Sequence, residues 1–100
     1  MRNLQEEMEK TKSQKEKIDS ALKKARVTAS SGAGLVEITL DGMNAVQNIS
    51  VSETLLSPDN KTMLETLLAS AFSEGVRKVE ILREEETRKI LSELFGGMAR

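Results

Sequence analysis

Few side chains in this chain of 100 residues could do chemistry, because it has no histidine, cysteine, tryptophan or tyrosine. That inventory excludes a histidine general acid or base, a Cys/His metal site and a Ser/His or Cys/His nucleophile pair. Carboxylates and lysines remain, but no spacing among them recommends catalysis, a metal, a cofactor or a small-molecule substrate. The chain therefore reads as a non-enzyme. Its cations are the groups able to bind something: Lys10, Lys12, Lys15, Lys17, Lys23 and Lys24 early in the chain, and Arg77, Lys78, Arg83, Arg88 and Lys89 late in it. On charge alone they read as a solvated helix surface. Glu6 and Lys10, like Glu84 and Arg88, stand at i,i+4, where an ion pair is worth a few tenths of a kcal/mol. Gly32 and Gly34 do not form a phosphate cradle, since such loops lead directly into a helix N-terminus. Here Leu35-Val36-Glu37-Ile38 continues as strand. Glu84-Glu85-Glu86 occupies consecutive helical positions that cannot converge on one cation.

The elements carrying these residues are legible. From Asn3 to Ala25 there is no proline or glycine, and Glu, Lys, Gln and Met dominate, all good helix formers. Leu4, Met8, Thr11, Lys15, Ile18, Leu22 and Ala25 alternate in steps of four and three. This is a narrow heptad seam that predicts a helical arm lying along one partner. Residues 27–51 read as strand, broken at Ser31-Gly32-Ala33-Gly34 and again at Asp41-Gly42, a strong short-range hairpin signal. The prediction is a three-stranded antiparallel meander. Val36, Ile38 and Leu40 lie on one face, as do Ile49 and Val51, and that face needs a helix to cover it.

Ser57-Pro58-Asp59 then has the chemistry of a helix start: an N-cap, a first-turn proline and an acid at the positive end of the helix dipole. The second helix is predicted over 58–95, ending at Gly96-Gly97. Its first half is apolar over a wide arc (Met63, Leu64, Leu67, Leu68, Ala71, Phe72, Val76), more than one sheet face requires. A second copy of the chain is the predicted cover, docked around Leu68, Ala71, Phe72 and Gly75 and optionally through a sheet edge. Gly75, in mid-helix, is read as a site of close approach by a neighbouring backbone. The second half narrows to Val79, Leu82, Ile90 and Leu94 and can lie antiparallel to the first helix.

The fold class is therefore α+β, in the order α-β-β-β-α, in one domain. Its parts are a helical arm (1–25), a sheet (26–52), a long helix (57–95) and a short tail (96–100). One hundred residues give a core that is marginal without a partner. No apolar run approaches the ~20 residues that span a bilayer, so no membrane association is expected, and the absence of cysteine is compatible with a reducing cytoplasm. Net charge is −1. Residues 1–26 carry eight Lys/Arg against five Asp/Glu and residues 27–76 one against six, while residues 77–100 carry six against five. The two ends are slightly basic and the middle is acidic.

Gly32-Ala33-Gly34-Leu35-Val36, Asp41-Gly42, Leu55-Leu56-Ser57-Pro58-Asp59 and Met63-Leu64-Glu65-x-Leu67-Leu68-x-x-Ala71-Phe72, in this order, resemble the YbaB/EbfC family of bacterial nucleoid-associated proteins over nearly the whole chain. The resemblance implies a homodimer with protruding helical arms that bind double-stranded DNA, and a cytoplasmic location at the nucleoid. Carried onto this sequence, it favours phosphate contact by Lys10, Lys12, Arg83, Arg88 and Lys89, expected to cluster near the end of each arm. No helix-turn-helix or zinc module is present for base readout. With only two phenylalanines as aromatics, no stacking platform for single strands exists. Duplex binding of low or modest sequence specificity is expected. The alternative is an adaptor whose arms grip another protein.

Overall fold

The structure, a computed structural model, describes residues 4–96. Within its first helix the side chains of Glu7, Lys10 and Thr11 lie outside that description, as do Asn3 and Gly97 at the predicted ends of the two helices. The elements are α1 (Leu4–Lys24), β1 (Val27–Ser31), β2 (Val36–Leu40), β3 (Val46–Val51) and α2 (Lys61–Phe95). The α-β-β-β-α order is the one the sequence predicts. Short 3₁₀ turns at Glu53–Leu55 and Pro58–Asn60 precede α2. Ser57 and Pro58 therefore open a 3₁₀ turn, and Asn60 sits at the N-cap of α2.

The three strands form an antiparallel sheet in the order β1-β2-β3. Ala29 pairs with Ile38, and Ile38 with Ile49. Between β1 and β2 the chain turns through three residues of positive φ: Gly32 (+61°), Ala33 (+57°) and Gly34 (+90°). The second hairpin differs from the simple Asp-Gly turn. Its positive φ belongs to Asn44 (+64°), not to Gly42. Asp41 organises the loop: its Oδ1 accepts from the N–H groups of Met43 (2.7 Å) and Ala45 (3.0 Å), and its Oδ2 from Gln47 Nε2 (3.2 Å). A register shift beside Thr39 and Leu40 brings Val46 opposite Leu40, so β3 begins earlier than the alternation of its later residues suggests.

The first half of α2 lies across β1 and β2. Val36, Ile38, Leu40, Leu55, Ala71 and Val79 form the buried core, with Leu64, Leu67, Leu68 and Val76 packed around it. Gly75 belongs to this packing. A Cβ there would stand 2.9 Å from Leu40 Cδ1 and 3.7 Å from Ala29 Cβ. The close approach read from the sequence is real, but the neighbours are side chains of the chain's own sheet. Gly42 makes the tighter backbone contact. Its N–H donates to the Leu22 carbonyl at 2.7 Å, and a Cβ would sit 2.6 Å from that oxygen. This contact seats the last turn of α1 against the β2–β3 loop.

Beyond the sheet, the second half of α2 runs antiparallel to α1. The molecule is 70 Å long and 30 by 16 Å across.

Candidate nucleic-acid interface

The arm is a helix pair over only part of its length. Gln14 and Lys17 of α1 meet Ile90, Glu93 and Leu94 of α2 around a cavity of about 150 Å³. The end of α2 is therefore level with residues 14–17 of α1. Burial along α1 begins there too: Gln14, Ile18, Ala21 and Ala25 are half-buried and Leu22 is buried, whereas Leu4 and Met8 are 77% and 65% exposed. At about 1.5 Å per residue, residues 4–13 project some 15 Å past α2 as a single helix. The heptad seam departs from expectation in one respect. Lys15 is exposed and Gln14 takes the inward position, because the longer ammonium side chain gains more from water than from a two-helix contact.

Alignment of the two helices spreads the five predicted phosphate-binding residues along the arm instead of gathering them at its end. Lys12 is exposed on the projecting part of α1, and the side chain of Lys10 lies outside the described residues. Arg88 and Lys89 are exposed near mid-arm, and exposed Arg83 lies close to the body. Arg83 and Arg88 share a shallow groove of about 500 Å³ with Glu80, Glu84, Thr87 and Leu91. Lys12 and Lys89 do not line it. Among the described residues, the ion pair formed is Arg77–Glu74 at 3.0 Å. Glu84 and Arg88 stand at the right spacing without pairing. Among the described residues, Lys12, Arg83, Arg88 and Lys89 thus present charge to solvent without an ion pair to a carboxylate.

Two further cations are held where sequence spacing gave no sign of it. Arg26 Nη1 donates to the carbonyls of Lys23 and Ala25, both at 2.8 Å, closing the C-terminal end of α1. Lys78 Nζ donates to the Thr28 carbonyl of β1 at 2.7 Å, across 50 residues of sequence. The Asp41 carboxyl is held below its ordinary range, chiefly by the Ala45 N–H. Partial desolvation opposes that effect; the Met43 N–H and the positive charges of Arg26 and Lys23 add to it. Three hydrogen bonds thus commit this acid to the loop.

Of the residues proposed for self-association, Ala71 and Gly75 are buried against the chain's own sheet. Leu68 is half-buried and Phe72 is 42% exposed. Among the described residues, no group of three or more acidic side chains could hold a metal, and no helix is long and apolar enough to cross a membrane.

Residues 1–94 match the model of the YbaB/EbfC DNA-binding family. The chain belongs to that family. Membership brings with it a nucleoid-associated DNA-binding role. The fold is also similar to the crystal structure of the uncharacterized protein HP0035 from Helicobacter pylori, with a TM-score of 0.66 at 23% identity. The match covers 78% of this chain and 90% of that one. At that identity the likeness speaks for the fold alone.

Proposed function

We propose that this YbaB/EbfC chain binds double-stranded DNA as a homodimer, through cations on its helical arms that contact phosphates with low or modest sequence specificity. The observation that carries this reading is the family match joined to four arm cations, Lys12, Arg83, Arg88 and Lys89, that make no ion pair among the described residues. Lys10 belongs to the same proposal by sequence. Arm contacts made twice, once per protomer, offset a net charge that alone would not draw the chain to DNA. An effect on nucleoid organisation and gene expression would follow from such binding.

The proposed dimer surface is the trough between α2 and β3. Lys78 and Leu67 lie on the β1 flank of α2, where Leu67 accepts a hydrogen bond from Ser31 at its carbonyl. Helical periodicity then turns Phe72 and Val76 to the opposite flank, toward β3. Val46 and Ile49 of β3, 46% and 50% exposed, share the sheet face that α2 leaves open on that side. Together with half-buried Leu68, these side chains make a contiguous apolar surface of the kind that marks an interaction site. Of the residues named from sequence, Leu68 and Phe72 remain in this proposal.

The test is electrophoretic mobility shift of a generic duplex between about 50 and 200 mM salt. Six to ten phosphate contacts predict a loss of roughly 10³ to 10⁵ in affinity over that range. Charge reversal of Lys10, Lys12, Arg83, Arg88 and Lys89 together should weaken the shift while the dimer persists. Binding that stays flat with salt would refute phosphate contact, and no binding by the wild type would favour the protein-gripping adaptor.

A further inference from the structure

Charge is distributed unevenly along the arm once its two helices are aligned. The junction of arm and body consists of residues 23–26 and 77–83, which carry six Lys/Arg against one Glu. The remainder of the arm, residues 4–22 and 84–95, carries six Lys/Arg against nine Asp/Glu. The junction is thus strongly positive, and the arm beyond it is negative. Neither half of this contrast is visible along the linear sequence, where both helices look evenly mixed.

The junction cations are also the better prepared for an anion. Arg26 and Lys78 are pinned by hydrogen bonds to backbone carbonyls, which are neutral and leave their charge uncompensated. Each retains free donors, since a guanidinium has five N–H groups and an ammonium three. Less side-chain entropy is lost when such groups meet a ligand. Lys23, Lys24 and Arg83 are exposed and make no ion pair among the described residues, although Lys23 and Lys24 line a groove with Glu16 and Asp19, and Arg83 lines one with Glu80 and Glu84. Asp41, an acid near Lys23 and Arg26, is buried and occupied by its loop. Arg77 alone of the six is paired.

We infer that the arm–body junction, through Lys23, Lys24, Arg26, Lys78 and Arg83, is the principal phosphate-contacting surface of this protein, and that the negatively charged outer arm carries the smaller share. The inference rests on the DNA-binding reading and places the duplex backbone against the root of the arm, not its end. The competing explanation is that Lys23, Lys24 and Arg26 serve only to balance the helix dipole at the C-terminus of α1. That role would affect helix stability and leave DNA binding unmoved.

The test compares two variants that remove equal charge. K23Q/K24Q/R83Q empties the junction of its free cations and spares Arg26 and Lys78, which also tie the fold together. K12Q/R88Q/K89Q does the same to the outer arm. Both are titrated against a generic duplex across a salt series, with melting curves and sedimentation as checks of fold and assembly. Each phosphate contact contributes about 0.9 to the slope of log K against log salt, so the junction variant of a dimer should lose about 5 from that slope. The outer-arm variant should lose less than half as much. Equal losses, or a larger loss from the outer-arm variant, overturn the inference while the DNA-binding reading stands. A wild type that binds no duplex at low salt removes both. If the junction triple fails to fold, K23Q/K24Q against K12Q/K89Q makes the same comparison, with an expected loss of about 3 to 4.

Discussion

Substituting Gly42 by alanine tests whether α1 is seated on the body as a rigid part or merely leans on it. The added Cβ would lie 2.6 Å from the Leu22 carbonyl oxygen and 2.8 Å from both Leu22 Cα and Cβ. Two of these neighbours are backbone atoms, so no rotamer change relieves the clash. Either the last turn of α1 or the Asp41 loop has to move. Overpacking of this kind costs about 1–3 kcal/mol. Displacement also endangers the 2.7 Å hydrogen bond from Gly42 N–H to Leu22, worth about 1 kcal/mol. The expected destabilisation of G42A is therefore about 2–4 kcal/mol. For a domain of this size that means a melting temperature lower by at least 8 °C or so. Gly75→Ala is the matched comparison. Its Cβ would meet the Leu40 Cδ1 at 2.9 Å, the end of a side chain that can shift, and alanine regains roughly 1 kcal/mol of helix propensity. Urea denaturation followed by circular dichroism, at equal protein concentration, measures both. A G42A variant within about 0.5 kcal/mol of wild type, or no worse than G75A, would refute the seating of α1 by this contact.

Two more outcomes are expected. The depressed pKa of Asp41 means that its ionised form stabilises the fold above the ordinary carboxylate range, and that this contribution is lost as pH falls below about 4 toward the folded value. Denaturant midpoints measured from pH 7 downward should drop more steeply for wild type than for D41N, and parallel curves would contradict the assignment. For self-association, charging the α2–β3 trough with I49E or F72E should yield an 11 kDa monomer by sedimentation. The wild type should sediment as a dimer at micromolar concentration, and a monomeric wild type would remove the trough as an interface.

Several features were open to sequence reasoning because they depend on neighbours a few residues apart. Alternation in Val36, Ile38 and Leu40 marked the covered strand face, and all three are buried. Gly32 and Gly34 marked the first turn and both have positive φ. Reading Asp41-Gly42 as a two-residue turn misassigned the work of its residues. Asp41 supplies acceptors to the loop, Asn44 takes the left-handed conformation, and Gly42 is small because a helix 20 residues earlier passes against it. Gly75 and Ala71 looked like a subunit contact for a similar reason. A wide apolar arc on α2 reports how much is buried, but not whether the cover belongs to the same chain.

What the sequence determined by itself was local: the order of elements, the strand face, the helix ends to within a few residues, and the lack of histidine and cysteine. These follow from backbone preferences and periodicity, which act over a turn or a strand. The alignment of α1 against α2 was decided only by tertiary packing, with Leu22 of α1 held on the body by Gly42 at one end and Gln14 and Lys17 meeting Ile90 and Leu94 of α2 at the other. That alignment spreads Lys12, Arg83, Arg88 and Lys89 along the arm and brings residues 23–26 beside 77–83. Charge acts through space, so a patch assembled from two segments 50 residues apart exists only after the chain has folded.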